Sequence, residues 1–421
     1  MPNYAIWSLV PGHWSLTIII PENIFYNIAK SAISHYNETQ KGELPMPVDY
    51  EQLRNQVKKA GAVLVRRQAE NAEQAREYYD RLRIEAASPD LRERVDAALS
   101  SRDARCALPL DEPIDAAHPC PPETDVKLRL LACDGSQVSP NRHDEIGFGL
   151  INAAVIEFEP ESGTAPAIHT RTELLPMDDL PSEDDIAVMR DAFEKRFLAE
   201  QGAEAGFDRK TIALTDGPLE LFTDTLVESK AAQIAKRDYL DALKLLADAN
   251  IPAVGYIDRP RSDLVLRMLK LVSGNPDEEG KSGAADSPVF VKLLAPGERS
   301  AVFGMNSRLN KELPEDLRLC FFYLNVGTAA KPYICRVEIQ NRLTRDPEAL
   351  DLVHGALLRQ CGLLGGHPYP YILHRAHECA VVTVKEKDLI KNMLMAELAK
   401  NGAAVGEKSN KQIAKDLIRP R

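Results

Sequence analysis

Residues 126–136 read Val126-Lys-Leu-Arg-Leu-Leu-Ala-Cys-Asp-Gly-Ser136. Apolar and basic side chains alternate in the first half of this stretch, with the period of two that is typical of a β-strand. The pattern predicts a strand over residues 126–132 that ends in Asp134 followed by Gly135. A carboxylate at the end of a strand points into the crevice at the sheet edge, where open α/β folds bind ligands, and glycine lets the backbone turn away beside it. The stretch therefore provides one candidate catalytic carboxylate.

A second apolar strand ends in the same way. Residues 211–215 lead directly into Asp216 followed by Gly217. Asp-Gly is also common turn chemistry, so either pair taken alone is more often structural than catalytic.

The segment between the two Asp-Gly pairs makes the pattern more specific. Two β-like runs, at 148–158 and 167–174, are bounded by Gly, Pro or Asp turns, as in an antiparallel meander. An acidic helix start at Ser182 then opens a segment that carries Glu194 beside its apolar face. A strand aspartate, two further strands, a helix glutamate and a second strand aspartate form the chain order of an RNase H-like nuclease.

Three carboxylates from separate elements suit the hydrolysis of a phosphodiester by two metal ions. That reaction needs clustered hard oxygen ligands that hold two divalent ions about 3.5–4 Å apart. In the helix, Asp191 and Glu200 compete with Glu194 for the middle position. Glu194 is preferred because it follows Arg190 by one turn and neighbours the apolar face.

The rest of the chain predicts an elaborated α/β architecture. Helix and strand alternate over residues 229–272, which indicates parallel strands and hence a mixed sheet. We predict an RNase H-like mixed sheet flanked by helices, with a mostly helical N-terminal extension and C-terminal helices. The predicted parts are an extension (1–124, largely helical from about residue 50), a nuclease domain (125–384, with a mobile loop at 274–287) and a C-terminal helix with a basic tail (385–421).

Composition narrows the class of protein. The 421 residues, 44% hydrophobic and 27% charged, exclude a single small module and global disorder. The net charge of −11 requires any nucleic-acid site to be a local basic groove. Seven widely spaced cysteines, no leader-like N-terminus and no apolar run of about 18 residues predict a cytoplasmic protein without a membrane partner.

Over residues 126–384 the chain resembles the NurA nuclease family. The resemblance is carried, in family order, by Asp134-Gly-Ser136, Leu214-Thr-Asp-Gly217, Gly255-Tyr-Ile-Asp-Arg-Pro-Arg-Ser262, Gly297-Glu-Arg-Ser-Ala-Val-Phe303 and Tyr369-Pro370 leading into Ala376-His377. It implies a manganese-dependent DNA end nuclease with an RNase H-like core. It also implies a homodimer that works with a hexameric HerA-type ATPase in double-strand break processing.

The resemblance also assigns roles to residues. Asp134, Glu194 and Asp216 are expected to bind Mn²⁺, with Mg²⁺ as an alternative and two ions per site. His377 is expected to complete the site as a metal ligand or a proton-transfer group, with Tyr369 close by.

Several further residues keep two interpretations. His374 lies one turn before His377, and a lone helical histidine is more often a surface or core residue. Arg259 and Arg261, at a predicted helix start, are candidate DNA contacts or parts of a salt-bridged cap. Arg299 and Ser300 are candidate DNA contacts or turn residues.

Three functions are consistent with these features of the sequence. The first is a nuclease that trims DNA ends 5′ to 3′ in double-strand break repair, with single-stranded DNA as a further endonuclease substrate. The second is a non-catalytic RNase H-like adaptor that regulates a DNA-translocating ATPase. The third is the same nuclease used in defence against phage. In each case the helical extension would contact a sister subunit or the ATPase.

Overall fold

The computed structural model describes residues 48–101, 104–123, 126–141, 146–160, 162–175, 177, 181–204, 210–221, 229–274 and 284–402. The strands are β1 (Cys106–Pro109), β2 (Ala117–His118), β3 (Leu128–Val138), β4 (Leu150–Phe158), β5 (Ala167–Leu174), β6 (Lys210–Asp216), β7 (Ala253–Ile257), β8 (Arg299–Ser300), β9 (Phe303–Asn306), β10 (Leu319–Asn325) and β11 (Ile334–Gln340). The helices are α1 (Tyr50–Ala86), α2 (Leu91–Ser101), α3 (Glu183–Glu204), α4 (Lys230–Asp248), α5 (Leu264–Ser273), α6 (Ser287–Leu293), α7 (Arg308–Glu312), α8 (Pro347–Gly362), α9 (Tyr371–Ala380) and α10 (Val384–Lys400). In these ranges, no helix combines the length and apolar character that crossing a bilayer requires.

The central part of the sheet is built around β3. Strands β3, β4 and β5 form an antiparallel meander, and β6 and β7 run parallel to β3 on its other side. The chain passes from β5 to β6 through α3 and from β6 to β7 through α4. Strands β11 and β10 continue the sheet with antiparallel pairing, giving the order β1-β9-β10-β11-β7-β6-β3-β4-β5 in the described residues. The predicted mixed sheet flanked by helices is confirmed.

Strand β3 is longer than predicted. It does not end before Asp134 but runs on to Val138. The parallel pairing with β6 stops at Cys133 opposite Thr215, whereas β4 continues to pair with β3 as far as Val138 opposite Leu150. Asp134 is therefore the first residue of β3 that no longer pairs with β6. It lies at the edge of the sheet on the β6 side, while on the other side β4 still pairs with it.

Helices cover both faces of β3 because both faces are apolar. Leu131 and Cys133 belong to the hydrophobic core formed with α3 and α4. Leu130 and Ala132 belong to the core formed with α8 and α9. Successive side chains of a strand point to opposite faces, so the same alternation continues beyond the core into residues 134–136.

The sequence forms α3 for local reasons. The Ser182 hydroxyl accepts the backbone N–H of Asp185 at 3.1 Å and satisfies a free donor at the helix start. Ile186, Phe193 and Phe197 are buried at helical spacing. Their packing fixes the rotation of the helix and so the direction in which its polar residues project.

The N-terminal part is helical from residue 50, as predicted. The chain divides into two units, Met1–Arg67 and Gln68–Arg421, and the strands β1 to β11 of the described residues belong to the second. In that unit β1 pairs with β9 and β2 pairs with β8, so two strands of the predicted extension join the sheet of the nuclease domain. Strands of four and two residues are too short to show a periodic pattern, and the domain boundaries at 124 and 384 stay predictions.

Parts of three predicted segments lie outside the described residues. These are residues 1–47 of the predicted extension, residues 275–283 of the predicted loop and residues 403–421 of the predicted basic tail. Within the loop range, Gly274 follows α5 and Asp286 is buried. The carboxylate of Asp286 accepts the N–H groups of Val265 and Leu266 at 3.1 and 2.9 Å, so it caps α5.

Candidate active site

A cleft of about 450 Å³ opens where β3, β6, α3 and α9 meet. Asp134, Glu194, Asp216 and His377 all line it. These side chains come from four elements that are far apart in the sequence. The structure thus brings the three predicted carboxylates and the predicted histidine together in one place.

Asp134 connects β3 to α9 through its side chain. Its Oδ1 accepts the N–H of Gly135 at 2.8 Å, and its Oδ2 lies 2.6 Å from Nδ1 of His377 on α9. The Asp134 side chain is 15% exposed and that of His377 is 65% exposed. The histidine therefore covers the carboxylate from the solvent side.

Glu194 reaches the cleft through the space that Gly135 leaves. It is buried, with 5% of its surface exposed, and a Cβ added at Gly135 would lie 2.4 Å from its Oε1. The expected reason for this glycine, a turn of the backbone, is wrong, because β3 continues through it. Gly135 is required instead because no side chain fits between β3 and the carboxylate.

Burial and charge act together on Glu194. Loss of water raises the pKa of its carboxyl to about 8, and the negative charges of Asp191 and Asp134 add to the rise. Lys195 and Arg190 oppose it. The Nε of Arg190 lies 3.2 Å from Oε1 of Glu194, one helical turn earlier, which agrees with the predicted pairing.

Asp216 lies at the end of β6, where the backbone does turn. Gly217 adopts φ +85°, in the left-handed region that favours glycine, and its N–H donates to the carbonyl of Tyr256 at 2.8 Å. Desolvation by the surrounding protein raises the pKa of Asp216, while a hydrogen bond from Tyr369 lowers it. The hydrogen bond to Asp216 places Tyr369 beside the site, and its ring packs edge-on against Tyr256 with 5.6 Å between centroids.

The contacts separate the candidates for the helix carboxylate. Asp191 also lines the cleft, but it is paired with Lys195. Glu200 is paired with Arg171 of β5 and lies outside the cleft lining. Glu194 is the candidate that lies directly against β3 beside Asp134.

The two histidines of α9 have different partners. Nε2 of His374 lies 3.5 Å from Oε1 of Glu378 on its own helix, whereas His377 contacts Asp134. His377 is therefore the histidine that belongs to the cleft.

The sequence matches the model of one protein family. The NurA domain matches residues 128–382, which is more than half of the sequence. The chain belongs to the NurA family. The NurA match begins with β3 and ends two residues after α9, so it contains every residue of the cleft.

Solved structures give a second comparison for this NurA chain. The NurA nuclease from Sulfolobus solfataricus is similar over 77% of this chain and 98% of its own, with 14% identity and a TM-score of 0.44. The catalytic domain of human Endonuclease V covers 72% of this chain and 96% of its own, with 15% identity and a TM-score of 0.31. Ciona intestinalis Endonuclease V, solved with a 24mer DNA containing an inosine followed by a ribo-adenosine, covers 63% and 87%, with 13% identity and a TM-score of 0.29. None of the curated proteins matches the chain significantly.

Two of the candidate DNA contacts are internal. Arg299 and Ser300 are both buried. Nη1 of Arg299 lies 3.5 Å from Oε2 of Glu112, and the Ser300 hydroxyl accepts the N–H of Tyr323 at 2.9 Å. Burial removes both residues from the candidate DNA contacts, and they form the short strand β8 rather than a turn.

The other two candidate DNA contacts lie on the surface. Arg259 and Arg261 are exposed and follow β7. Nε of Arg259 donates to the hydroxyl of Tyr333 at 3.1 Å, and its guanidinium lies over that ring at 5.5 Å. The charge of the neighbouring Asp258 contributes to the raised pKa of Asp216, whereas neither arginine is among the residues that line the cleft.

Sequence reasoning did not identify Ser136 as a side chain that supports the site. Ser136, two residues after Asp134, bonds to the C-terminal end of α9. The strand pattern could have identified Ser136, because residues i and i+2 of a strand share a face and Ser136 therefore lies on the same face as Asp134.

The donor atoms that line the cleft are of the types that bind a hard divalent cation. Carboxylate oxygens are the ligands that Mg²⁺ and Mn²⁺ prefer, and imidazole suits Mn²⁺ better than Mg²⁺. Burial is the main cause of the raised pKa of Glu194 and of Asp216, and the negative charge of Asp134 adds to both shifts. A bound cation would stabilise the charged form of each carboxylate. In the part of the chain that the structure describes, no three His, Cys, Asp or Glu side chains converge closely enough to hold an ion together, and Asp134 and His377 bond to each other.

Proposed function

We propose that this NurA-family chain is a metal-dependent deoxyribonuclease that hydrolyses phosphodiester bonds at DNA ends. The observation that supports the proposal is the meeting of Asp134, Glu194 and Asp216 with His377 in one cleft. Structural carboxylates that cap turns have no reason to gather beside a histidine, and their mutual repulsion costs stability.

Asp134, Glu194 and Asp216 would hold two Mn²⁺ ions, or Mg²⁺, with His377 as a further ligand or as a proton donor. Such ions, when bound, activate the attacking water and stabilise the leaving oxygen. His377 bonds Asp134 through Nδ1, which leaves Nε2 as the ring nitrogen that would exchange a proton with the substrate.

The basic residues around the cleft would position the phosphate backbone. Arg190 is half-exposed at the cleft and pairs with Glu194. Arg259 and Arg261 would contact phosphates farther along the strand, since guanidinium groups bind phosphate in a fixed geometry. Binding would then fall as the salt concentration rises.

Family membership supports the finer expectations. We infer 5′ to 3′ action on DNA ends, with single-stranded DNA as a further substrate, in double-strand break repair. We also infer a homodimer that works with a hexameric HerA-type ATPase in the cytoplasm. A role in defence against foreign DNA would use the same chemistry, and genomic neighbourhood would distinguish the two roles.

The test is cleavage of linear DNA, single- and double-stranded, labelled at either end. Wild type, Asp216→Ala and Asp134→Ala are compared in Mn²⁺, Mg²⁺ or EDTA, with Asp241→Ala, an exposed carboxylate of α4 outside the cleft, as the matched control. We expect metal-dependent shortening by wild type and Asp241→Ala, and none by the cleft variants. The label released first reports the polarity.

Two outcomes would contradict the proposal. Cleavage retained by Asp134→Ala and Asp216→Ala would remove those residues from the active site. If wild type cuts no DNA with any metal, the adaptor hypothesis becomes the better one, and stimulation of a HerA-type ATPase is then the activity to measure.

A further inference from the structure

The C-terminal end of α9 is held by two polar side chains of the sheet. The Ser136 hydroxyl of β3 donates to the carbonyl of Ala380 at 2.5 Å, and Nδ2 of Asn152 of β4 donates to the same oxygen at 2.8 Å. The Ser136 hydroxyl also accepts the N–H of Val382 at 3.1 Å. Both lone pairs of the Ala380 carbonyl are therefore used, at a helix end that has no partner for it within the helix.

The register of the sheet makes this arrangement possible. Ser136 and Asn152 lie directly opposite each other in the antiparallel β3–β4 pair. The hydroxyl of Thr172 on β5 donates to Oδ1 of Asn152 at 2.6 Å, which orients the amide so that its nitrogen faces the helix. Three adjacent strands thus contribute to one attachment point.

His377 lies one helical turn before Ala380, and Asp134 lies two residues before Ser136 on the same face of β3. The Asp134–His377 contact and the Ser136–Ala380 contact therefore run side by side between the same strand and the same helix. A shift of the helix end would move the imidazole away from the carboxylate.

We propose that Ser136 and Asn152 are positioning residues that set the place of His377 in the cleft. The inference rests on the proposed nuclease function, in which His377 contacts the reacting groups. Ser136 and Asn152 themselves act only through α9. Misplacement of a reacting group by about 1 Å can cost on the order of 10²-fold in rate.

The kinetic test is a double-mutant cycle. We expect Ser136→Ala to lower kcat for DNA cleavage about tenfold with KM unchanged, and Ser136→Ala/Asn152→Ala to approach the kcat of His377→Ala. In a His377→Ala background the same two substitutions should change kcat less than about twofold. Ser136→Thr, which keeps the hydroxyl, should restore kcat.

The matched control is Ser162→Ala. It removes a serine hydroxyl that donates to a main-chain carbonyl, that of Glu159, at 2.9 Å in a turn outside the cleft. We expect this variant to keep the wild-type kcat. Thermal unfolding of each variant shows whether the fold is intact.

A spectroscopic readout keeps the inference independent of activity. The imidazole ¹⁵N signals of His377, identified by their loss in His377→Gln, report its bond to Asp134 without metal or DNA. In folded Ser136→Ala/Asn152→Ala these signals should move towards those of an unpaired histidine. Unchanged signals, or equal kcat losses in the presence and absence of the His377 side chain, would overturn the inference. A wild type that cuts no DNA would overturn the nuclease proposal alone.

Discussion

Replacing Gly135 by alanine tests how the cleft is packed. The added Cβ would lie 2.4 Å from Oε1, 2.8 Å from Cγ and 3.0 Å from Cδ of Glu194. An ordinary contact begins at 3.4 Å, so the buried carboxylate must retreat by about 1 Å. We expect Gly135→Ala to lower the free energy of unfolding by about 1–3 kcal/mol through overpacking. We also expect kcat to fall about 10²-fold, because the carboxylate of Glu194 is displaced.

Urea unfolding and steady-state cleavage of end-labelled DNA measure the two effects of Gly135→Ala. Glu194→Asp shortens the opposing side chain by one methylene, so Gly135→Ala/Glu194→Asp should recover most of the lost stability. Gly362→Ala is the control, because a Cβ at Gly362 meets nothing within 4 Å. Wild-type kcat in Gly135→Ala, or no recovery of stability in the double variant, would refute the assignment of Gly135 as the residue that makes room for Glu194.

Three further predictions concern the charged and polar groups of the site. Burial raises the pKa of Glu194 from 4.5 to about 8, so between these pH values the folded protein holds a proton on Glu194 that the unfolded chain releases. The ionisation of Glu194 therefore lowers the free energy of unfolding as the pH rises from about 4.5 to about 8. In urea unfolding without metal, Glu194→Gln should gain stability relative to wild type across this interval, and parallel pH curves for the two proteins would contradict the prediction. Arg259 has φ +45°, which costs a non-glycine residue about 1–2 kcal/mol. Arg259→Gly should therefore keep or raise the Tm, although the contact of Arg259 with Tyr333 is lost. DNA binding in EDTA should weaken about tenfold, because one charge-assisted hydrogen bond is lost. An unchanged Kd for DNA would exclude Arg259 as a DNA contact. Tyr369→Phe removes a hydrogen bond that lowers the pKa of Asp216, so the acidic limb of the pH–rate profile should move to higher pH, and a profile that coincides with wild type would argue against this contact during catalysis.

The periodic parts of the fold were predictable because their signals are local. Alternation over 126–132, the helical spacing around Glu194 and the short apolar run before Asp216 each identify an element without knowledge of the others. Chain order then placed the carboxylates at one sheet edge, and the structure brings them together there with His377.

The remaining features depend on neighbours that a single segment does not show. Asp134 looked like the end of a strand because its side chain is polar, but continued pairing with β4 extends the strand beyond it. Gly135 looked like a turn residue because its close neighbour, Glu194, is 59 positions away in the chain. Arg299 was a candidate DNA contact or turn residue because nothing near it in sequence predicts burial beside Glu112.

The opposite directions of consecutive residues in β3 have a consequence for insertions and deletions. Asp134 and Ser136 contact α9, while Gly135 borders Glu194 of α3. Adding or removing one residue upstream in the strand would exchange these faces, so that the carboxylate and hydroxyl would meet α3 and the glycine would meet α9. Changes of two residues would preserve the faces. Among related chains, the length of the strand before Asp134 is therefore expected to vary by even numbers, while the connection from β3 to β4 is free to vary by any number.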